Sequence, residues 1–239
     1  MAQPLVLDLG LAKTEKYASR DSGDTVEVVE RPGGGFSVVM IDGQGSGQAA
    51  KTLSLLLSSK AVGLIKDGVR DGSVARATHD HLFLYRHGRV SATFDMLSVD
   101  MQTRTVVVTR NADAPMLLGE DGAFRTVEVD SGPIGRYHFT KPNIREMPIR
   151  AGLTVVLFTD GIPHSGRRRQ LPEIDYVAFA NSEIDPGLPA QAIADRVLDL
   201  AIGRDDGRPG DDMAVVAMRI VDFEGDQVIR RMQGQFPMP

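Results

Sequence analysis

The stretch "VVMIDGQGSGQAA", residues 38–50, runs from an apolar, β-branched segment through three glycines into a helix-forming segment. The apolar run ends on Asp42, and a carboxylate at a strand end beside exposed backbone is one arrangement that holds a hard cation. Ordinary turn chemistry is the other explanation, because Asp and Gly are both common in turns. The choice between them depends on what the rest of the chain supplies.

Two phosphate-binding motifs have glycine-rich loops of this kind, but the spacing of residues in this loop matches neither of them. A dinucleotide-binding fingerprint requires G-x-G-x-x-G, whereas Gln48 occupies the last position. A Walker A loop requires Gly directly before its Lys-Ser/Thr pair, whereas Ala50 precedes Lys51 here. A nucleotide-binding protein is therefore the least favoured alternative.

Composition narrows the class of protein. The 239 residues are 42% hydrophobic and 25% charged, which suits a globular domain with a sizeable core. Zero cysteines exclude disulfides, thiolate zinc clusters and a Cys nucleophile. The net charge of −5 gives no global attraction to nucleic acid or to an anionic membrane, so we expect neither as a partner. No apolar run is long enough to span a membrane and no secretory signal is recognised, so we expect a cytoplasmic location.

Hydrophobic periodicity predicts strands and helices intermixed along the chain. Residues 90–129 are interpreted as a meander of consecutive antiparallel strands with turns at 100–104 and at "GEDG" (119–122). Helices among consecutive antiparallel strands predict α+β layers and argue against a doubly wound parallel sheet. Strands are predicted over 25–30, 36–41, 90–101 and 104–111, on both sides of the turn within 115–129, and over 143–149, 153–161 and 211–220. Helices are predicted over 48–66, 71–88 and 189–203.

Acidic residues recur where the predicted strands meet turns. If these strand ends are neighbours, the carboxylates converge, and like charges at close range raise each other's pKa unless a cation compensates. A set of oxygen ligands suits Mg²⁺ or Mn²⁺, and two such ions about 3.5–4 Å apart can activate water for displacement at phosphorus. The acids in question are Asp24, Asp42, Asp160, Asp211 and Asp212.

Six segments in order carry a family resemblance: "SGD", "IDGQGSG", "SATFDMLSVD", "GPIG", "VVLFTDG" and "GDDMAVV". The series resembles the metal-dependent Ser/Thr phosphatases of the protein phosphatase 2C type (PPM), in the SpoIIE-like bacterial branch. The resemblance implies a β-sandwich of two antiparallel sheets flanked by helix pairs. It also implies one phosphatase domain over residues 1–220, followed by a C-terminal tail over 221–239.

The same resemblance implies a site with two Mn²⁺ or Mg²⁺ ions and direct attack of metal-activated water on phosphoserine or phosphothreonine. Asp42 corresponds to the bridging ligand, Gly43 to a carbonyl ligand, and Asp24 to an acid that contacts metal directly or through water. Asp42, Asp160 and Asp211 are the implied catalytic residues. The implied metal ligands are Asp24, Asp42, Gly43, Asp160 and Asp211.

Several positions depart from the family pattern or support it indirectly. Many eukaryotic members carry His in the glycine loop, where this chain offers Gln44 and Ser46. Ala214 stands where Thr is usual, which removes a hydroxyl but no ligand. Asp212 is expected to support the site as a cap. Arg167 to Arg169 are interpreted as a solvated loop, with contact to a phosphorylated or acidic partner as the alternative.

The loop "DGQGSG" and the short chain resemble RsbX-type phosphatases of stressosome signalling. That likeness implies a phosphorylated STAS-domain substrate, either a stressosome protein or an anti-anti-sigma factor. The alternative is a non-catalytic binding module with the phosphatase fold in the same pathway. Clustered acids favour the enzyme, because a scaffold has no physical need for carboxylates that repel one another.

Overall fold

The computed structural model describes residues 4–128, 131–223 and 229–237, and these contain ten strands, five α-helices and a 3₁₀ turn at Arg167–Arg169. The strands are β1 (Leu5–Thr14), β2 (Asp24–Glu30), β3 (Gly35–Gly43), β4 (Ala92–Asp100), β5 (Thr105–Asn111), β6 (Met116–Glu120), β7 (Ala123–Val127), β8 (Asn143–Pro148), β9 (Leu153–Phe158) and β10 (Met213–Asp222). The helices are α1 (Gly47–Lys66), α2 (Asp71–Arg86), α3 (Gly161–His164), α4 (Tyr176–Glu183) and α5 (Ala190–Arg204).

The strands form two antiparallel sheets of five strands each. One, the β3 sheet, has the order β2-β3-β4-β5-β8, and the other, the β10 sheet, has the order β1-β10-β9-β6-β7. Their inner faces pack together through alternating side chains such as Val38 and Met40 on one sheet and Leu157 and Val216 on the other. The outer face of the β3 sheet packs on α1 and α2, and that of the β10 sheet on α4 and α5. The predicted α+β sandwich flanked by helix pairs is confirmed.

The glycine loop adopts a conformation that explains its composition. Gly45 and Gly47 have φ of 103° and 68°, in the left-handed region that side chains disfavour. The Gln44 N–H donates to the Ser91 carbonyl, and the Gln44 side-chain oxygen accepts from the Ser91 N–H. The loop is therefore fastened to the strand beside β3 while it reverses direction into α1.

Several predicted element boundaries were wrong. Strand β1 was not predicted, although Leu5, Leu7, Leu9 and Leu11 alternate and pack into the sandwich core. The meander is broken because β5 and β6 belong to different sheets. The predicted strand over 153–161 stops at Phe158, and the sequence "GIPH" forms α3 instead.

At the C-terminal end, β10 begins at Met213, two residues later than predicted, and continues to Asp222. It therefore extends two residues into the predicted tail. Residues 224–228 and 238–239 of that tail lie outside the described residues. In the part of the chain that the structure describes, every helix is too short or too polar to cross a membrane.

Candidate metal centre

Two acids meet at the paired ends of β2 and β3. The antiparallel register places Asp24 directly opposite Asp42, so both side chains lie on the same face of the sheet. That face is the inner one, because Asp42 follows Val38 and Met40 with period two. Asp24 is completely buried, whereas Asp42 is half-buried. The pair lies at one open end of the sandwich.

The β10 sheet contributes a second group at the same end. Asp160 follows β9 and precedes α3, and Asp211 lies shortly before β10, which pairs with β9. Carboxylate oxygens of Asp160 and Asp211 and a ring nitrogen of His164 lie within 4.8 Å of one another. The His164 Nδ1 is 3.8 Å from Asp160 Oδ2, across one turn of α3. This group is partly exposed, so it is open to an incoming ligand.

Neighbouring hydrogen bonds fix the buried part of the site. The Thr159 hydroxyl donates to Asp24 Oδ2 at 2.9 Å and accepts from the Ala214 N–H at 2.9 Å, which ties β2 to the β10 sheet. Asp212 accepts from the backbone N–H groups of Lys16 (2.9 Å) and Gly23 (2.7 Å). Asp212 thus holds the turn before Asp24, the supporting position expected for it.

Two lysines lie beside the buried acid. Lys13 Nζ and Lys51 Nζ donate to the Asp24 carbonyl at 2.6 and 3.0 Å, and Lys51 also reaches the Thr25 hydroxyl. Burial, assisted by the charge of Lys51, lowers the pKa of Lys13 to about 8. These cations lie where they partly offset the negative charge of the acids.

The carboxyls nevertheless resist ionisation. Burial, with the charges of Asp24 and Asp160 next, raises the pKa of Asp42 to about 9. Burial raises the pKa of Asp24 to about 7, although the hydrogen bond from Thr159 opposes the rise. Burial also raises the pKa of Asp160, opposed by the charge of His164. Three acids that repel one another in a largely buried site need a cation to ionise together at neutral pH.

The sequence prediction and the structure can be compared residue by residue. The structure brings Asp24, Asp42, Asp160 and Asp211 to one end of the sandwich. Asp24 lies opposite Asp42, carboxylate oxygens of Asp160 and Asp211 lie within 4.8 Å of each other, and the charges of these three acids reach Asp42 and raise its pKa. Gly43 lies beside them, with its carbonyl oxygen 3.7 Å from the position a Cβ would take on Gly23.

Sequence reasoning missed two groups near Asp160. His164 lies four residues after Asp160, and that i,i+4 spacing in "TDGIPH" was an available signal. Asp113, in the connection between β5 and β6, is close enough for its charge to raise the pKa of Asp160. Only the crossing of the chain between the sheets brings Asp113 there, so no local pattern could have found it.

A divalent cation fits the residues present. Asp24 Oδ1 is buried and has no hydrogen-bond partner among the described residues. A buried, unpartnered carboxylate oxygen is costly, and a cation would satisfy it. The donors are carboxylate oxygens with one imidazole, which suits Mg²⁺ or Mn²⁺ better than metals that prefer thiolates.

Comparison with known proteins finds a family that matches most of the chain. Residues 32–221 match the family model "Stage II sporulation protein E (SpoIIE)". The chain is 21% identical over 220 residues to stage II sporulation protein E of Priestia megaterium, covering 90% of this chain and 36% of that protein. The chain therefore spans little more than a third of the length of this curated relative.

Solved structures show the same fold. A structure of the PP2C phosphatase domain with a fragment of the regulatory domain of SpoIIE from Bacillus subtilis has a TM-score of 0.79 at 20% identity, covering 94% of this chain and 66% of that one. RsbX in complex with magnesium has a TM-score of 0.67 at 13% identity, covering 90% of this chain and 95% of that one. At these identities the likeness establishes the fold.

Proposed function

The chain belongs to the SpoIIE family, and on that premise we propose that it is a metal-dependent protein Ser/Thr phosphatase. Its substrate would be phosphoserine or phosphothreonine on a bacterial signalling protein, either a STAS-domain stressosome protein or an anti-anti-sigma factor. The observation that carries the proposal is the convergence of acids from separate segments at one end of the sandwich, where burial and mutual repulsion raise their pKa values. The partner class rests on the resemblance of the "DGQGSG" loop to RsbX-type phosphatases.

The proposed metal ligands are Asp24, Asp42, Asp160 and Asp211, with the Gly43 carbonyl and with His164 as an added candidate. Bound Mg²⁺ or Mn²⁺ would supply activation of water at neutral pH and neutralisation of charge on the phosphoryl oxygens. Two such ions are expected from the family resemblance. The charges of Asp24, Asp160 and Asp211 all raise the pKa of Asp42, as expected of an acid that lies within range of the other three.

The chain itself contributes position and electrostatics. Thr159 orients Asp24, and Asp212 holds the turn that leads into β2. Lys13 and Lys51 fix the Asp24 backbone. The glycine loop keeps Asp42 at the strand end by allowing the chain to turn at once into α1. This supports the expectation that the opening motif is a ligand-bearing turn.

We further propose that the phosphatase domain expected over residues 1–220 is a single domain that extends to the end of β10, and that a C-terminal tail follows it. β10 continues to Asp222, so a truncation should retain that residue. Removal of residues 224–239 is expected to leave the melting temperature within a few degrees of that of the full chain. A large drop would show that the tail belongs to the folded domain.

The direct test is phosphate release from a phosphorylated STAS-domain protein in EDTA, Mg²⁺ or Mn²⁺. We expect metal-dependent release by the wild type and loss of it in Asp42→Asn and Asp160→Asn. Asp67→Asn is the matched control, because Asp67 is exposed at the end of α1. No release with any metal, together with no metal binding by calorimetry, would refute the enzyme and favour a non-catalytic binding module.

A further inference from the structure

An open pocket of about 450 Å³ is lined in part by the segment that leads from α5 to Asp211. Two segments form most of it: the 3₁₀ turn after α3 and the turn that follows α5. Its six lining residues are three arginines, two aspartates and one tyrosine. The lining residues are Tyr17, Arg168, Arg169, Asp205, Asp206 and Arg208.

The pocket is continuous with the segment that carries Asp211. Arg168 Nη2 donates to the Arg208 carbonyl at 2.6 Å. Its guanidinium lies 3.2–3.3 Å from the position a Cβ would take on Gly210, the residue directly before Asp211. The Tyr17 N–H donates to the Pro209 carbonyl at 2.9 Å, which holds the opposite wall to the same segment. A group bound in the pocket would therefore lie close to the turn that carries Asp211.

Two of the arginines retain capacity for an anion. Both carboxylate oxygens of Asp205 accept backbone N–H groups, from Gly166 at 2.8 Å and Gly210 at 2.7 Å. Asp206 is paired with Arg169 at 2.8 Å. Among the residues that the structure describes, neither Arg168 nor Arg208 has a carboxylate within 4.0 Å.

Two contacts restrain the arginines that line the pocket. The Arg208 guanidinium lies over the Tyr17 ring, 5.3 Å from its centroid, a cation–π contact that limits its freedom. Arg168 is restrained by its bond to the Arg208 carbonyl. Restrained guanidinium groups bind carboxylate and phosphate through paired hydrogen bonds, with more directional preference than lysine.

Resting on the proposed phosphatase function, we propose that this pocket binds an acidic side chain of the protein substrate, near its phosphorylated residue in sequence. The bound group is an anion of the carboxylate or phosphate type, from Asp, Glu or a second phosphorylated residue. Arg168 and Arg208 are then specificity-determining residues, and they do not take part in the chemical step. Substrates with acidic or multiply phosphorylated segments are selected over neutral ones.

The first test is binding, which needs the pocket but no turnover. Fluorescently labelled, unphosphorylated peptides carry a central Ser flanked on both sides by Glu or, in the neutral partner, by Gln. With Mn²⁺ present, we expect the Glu peptide to bind the wild-type full chain about tenfold more tightly than it binds the Arg168→Gln/Arg208→Gln variant. Added salt should weaken its binding to the wild type. Arg145→Gln, on exposed β8, makes the same change of charge per residue away from the pocket and is expected to bind like the wild type.

The second test is turnover of the phosphorylated Glu and Gln peptides and of a Glu-free peptide with a second phosphoserine. We expect the wild type to have a kcat/KM about tenfold higher for the acidic and doubly phosphorylated peptides than for the neutral one, and the double variant to lose that preference. A preference for only one of these two peptides identifies the bound group as carboxylate or phosphate. Melting curves check that the double variant is folded.

The outcomes separate the two proposals. Two results would overturn the pocket inference and leave the proposed phosphatase function intact. One is turnover of p-nitrophenyl phosphate and of the peptides without any preference for acidic sequences. The other is a preference that the double variant keeps. No turnover of any substrate would overturn the proposed function, and the peptide-binding comparison alone would then decide the pocket. Equal binding of the Glu and Gln peptides would overturn the pocket inference in either case.

Discussion

Asp24 and Asp42 lie directly opposite each other at the paired ends of β2 and β3. Carboxylates in directly opposed positions of an antiparallel pair repel each other, and here burial raises the pKa of both. The arrangement therefore lowers the stability of the metal-free protein at neutral pH. A cation bound between the two acids would remove this cost, because it compensates their negative charge.

The first prediction concerns the pH dependence of metal-free stability. The folded-state pKa of Asp42 is raised to about 9, whereas an unfolded Asp titrates near 4. Between these values the native state holds a proton that the unfolded state lacks, so stability falls as pH rises from about 4 to 9. We expect Asp42→Asn to flatten this fall and to raise the melting temperature at pH 8 in EDTA.

The measurement is thermal unfolding in EDTA from pH 5 to 9, followed by addition of Mn²⁺. Mn²⁺ should raise the wild-type melting temperature and leave that of Asp42→Asn nearly unchanged, because a ligand stabilises only the state that binds it. Asp67→Asn should behave like the wild type. Equal pH slopes for the wild type and Asp42→Asn would show that Asp42 does not carry the predicted charge penalty.

Thr159→Val is expected to weaken metal binding by about tenfold near pH 7, the lower end of the range for residues that orient a metal ligand. The substitution removes the hydroxyl that donates to Asp24 and opposes the rise in its pKa. Asp24 then ionises at higher pH, so the deficit should shrink as pH approaches 9. Calorimetric titration with Mn²⁺ at pH 7 and 9 measures this change.

Thr109→Val is the matched control for Thr159→Val. Thr109 is equally buried, and its hydroxyl has no hydrogen-bond partner among the described residues. The same loss of a hydroxyl should therefore leave Mn²⁺ affinity unchanged. An equal loss of affinity in both variants would mean that Thr159 acts through general packing and not through Asp24.

Gly43→Ala tests the close approach of the glycine loop to α1. A Cβ at this position would lie 2.5 Å from the Ala50 carbonyl oxygen, so the start of the helix must shift. We expect a loss of about 1–3 kcal/mol, as for other overpacked sites, together with weaker Mn²⁺ binding. Gly63→Ala, in open space on α1, should instead stabilise by about 0.5–1 kcal/mol. Urea unfolding gives both values, and a neutral Gly43→Ala would refute the close approach.

Local patterns predicted most of the strands and helices and most of the acids that converge at the candidate metal centre. Both kinds of prediction depend on residues that are close in sequence. The glycine loop after Asp42 and the alternation within β3 are local signals. The crossing of the chain between β5 and β6 has no local signal, because it depends on β9, which pairs with β6 in the other sheet. Asp113 was missed for that reason. The alternating leucines of β1 were visible, but their partner β10 lies about 200 residues away.

The buried ion pair between Arg110 and Asp95 gives the fourth prediction. Asp95 lies opposite Met40, two residues before Asp42 on the inner face of the β3 sheet. The Arg110 guanidinium donates to both Asp95 oxygens, at 2.5 and 3.0 Å, and both residues are buried. Arg110→Met leaves a buried carboxylate without its partner and should cost about 3–5 kcal/mol.

The double variant Asp95→Leu/Arg110→Met tests whether that cost comes from the unpaired charge. Replacing both partners by apolar groups is often close to neutral for stability. We therefore expect the urea midpoint of the double variant to lie closer to that of the wild type than the midpoint of Arg110→Met does. A double variant no more stable than the single one would show that the site needs the guanidinium itself, for example for its place beneath Asp42.

The last prediction assigns His164 to metal selection. Its Nδ1 lies 3.8 Å from Asp160 Oδ2 and within the group that includes Asp211. Imidazole favours Mn²⁺ over Mg²⁺, which prefers oxygen ligands. We therefore expect His164→Ala to reduce Mn²⁺ affinity by about tenfold and Mg²⁺ affinity much less, as measured by calorimetric titration with each metal. His81→Ala, on α2, is the control. If His164→Ala left the ratio of the Mn²⁺ and Mg²⁺ affinities unchanged, His164 would not be a metal ligand and would act only through its electrostatic effect on Asp160.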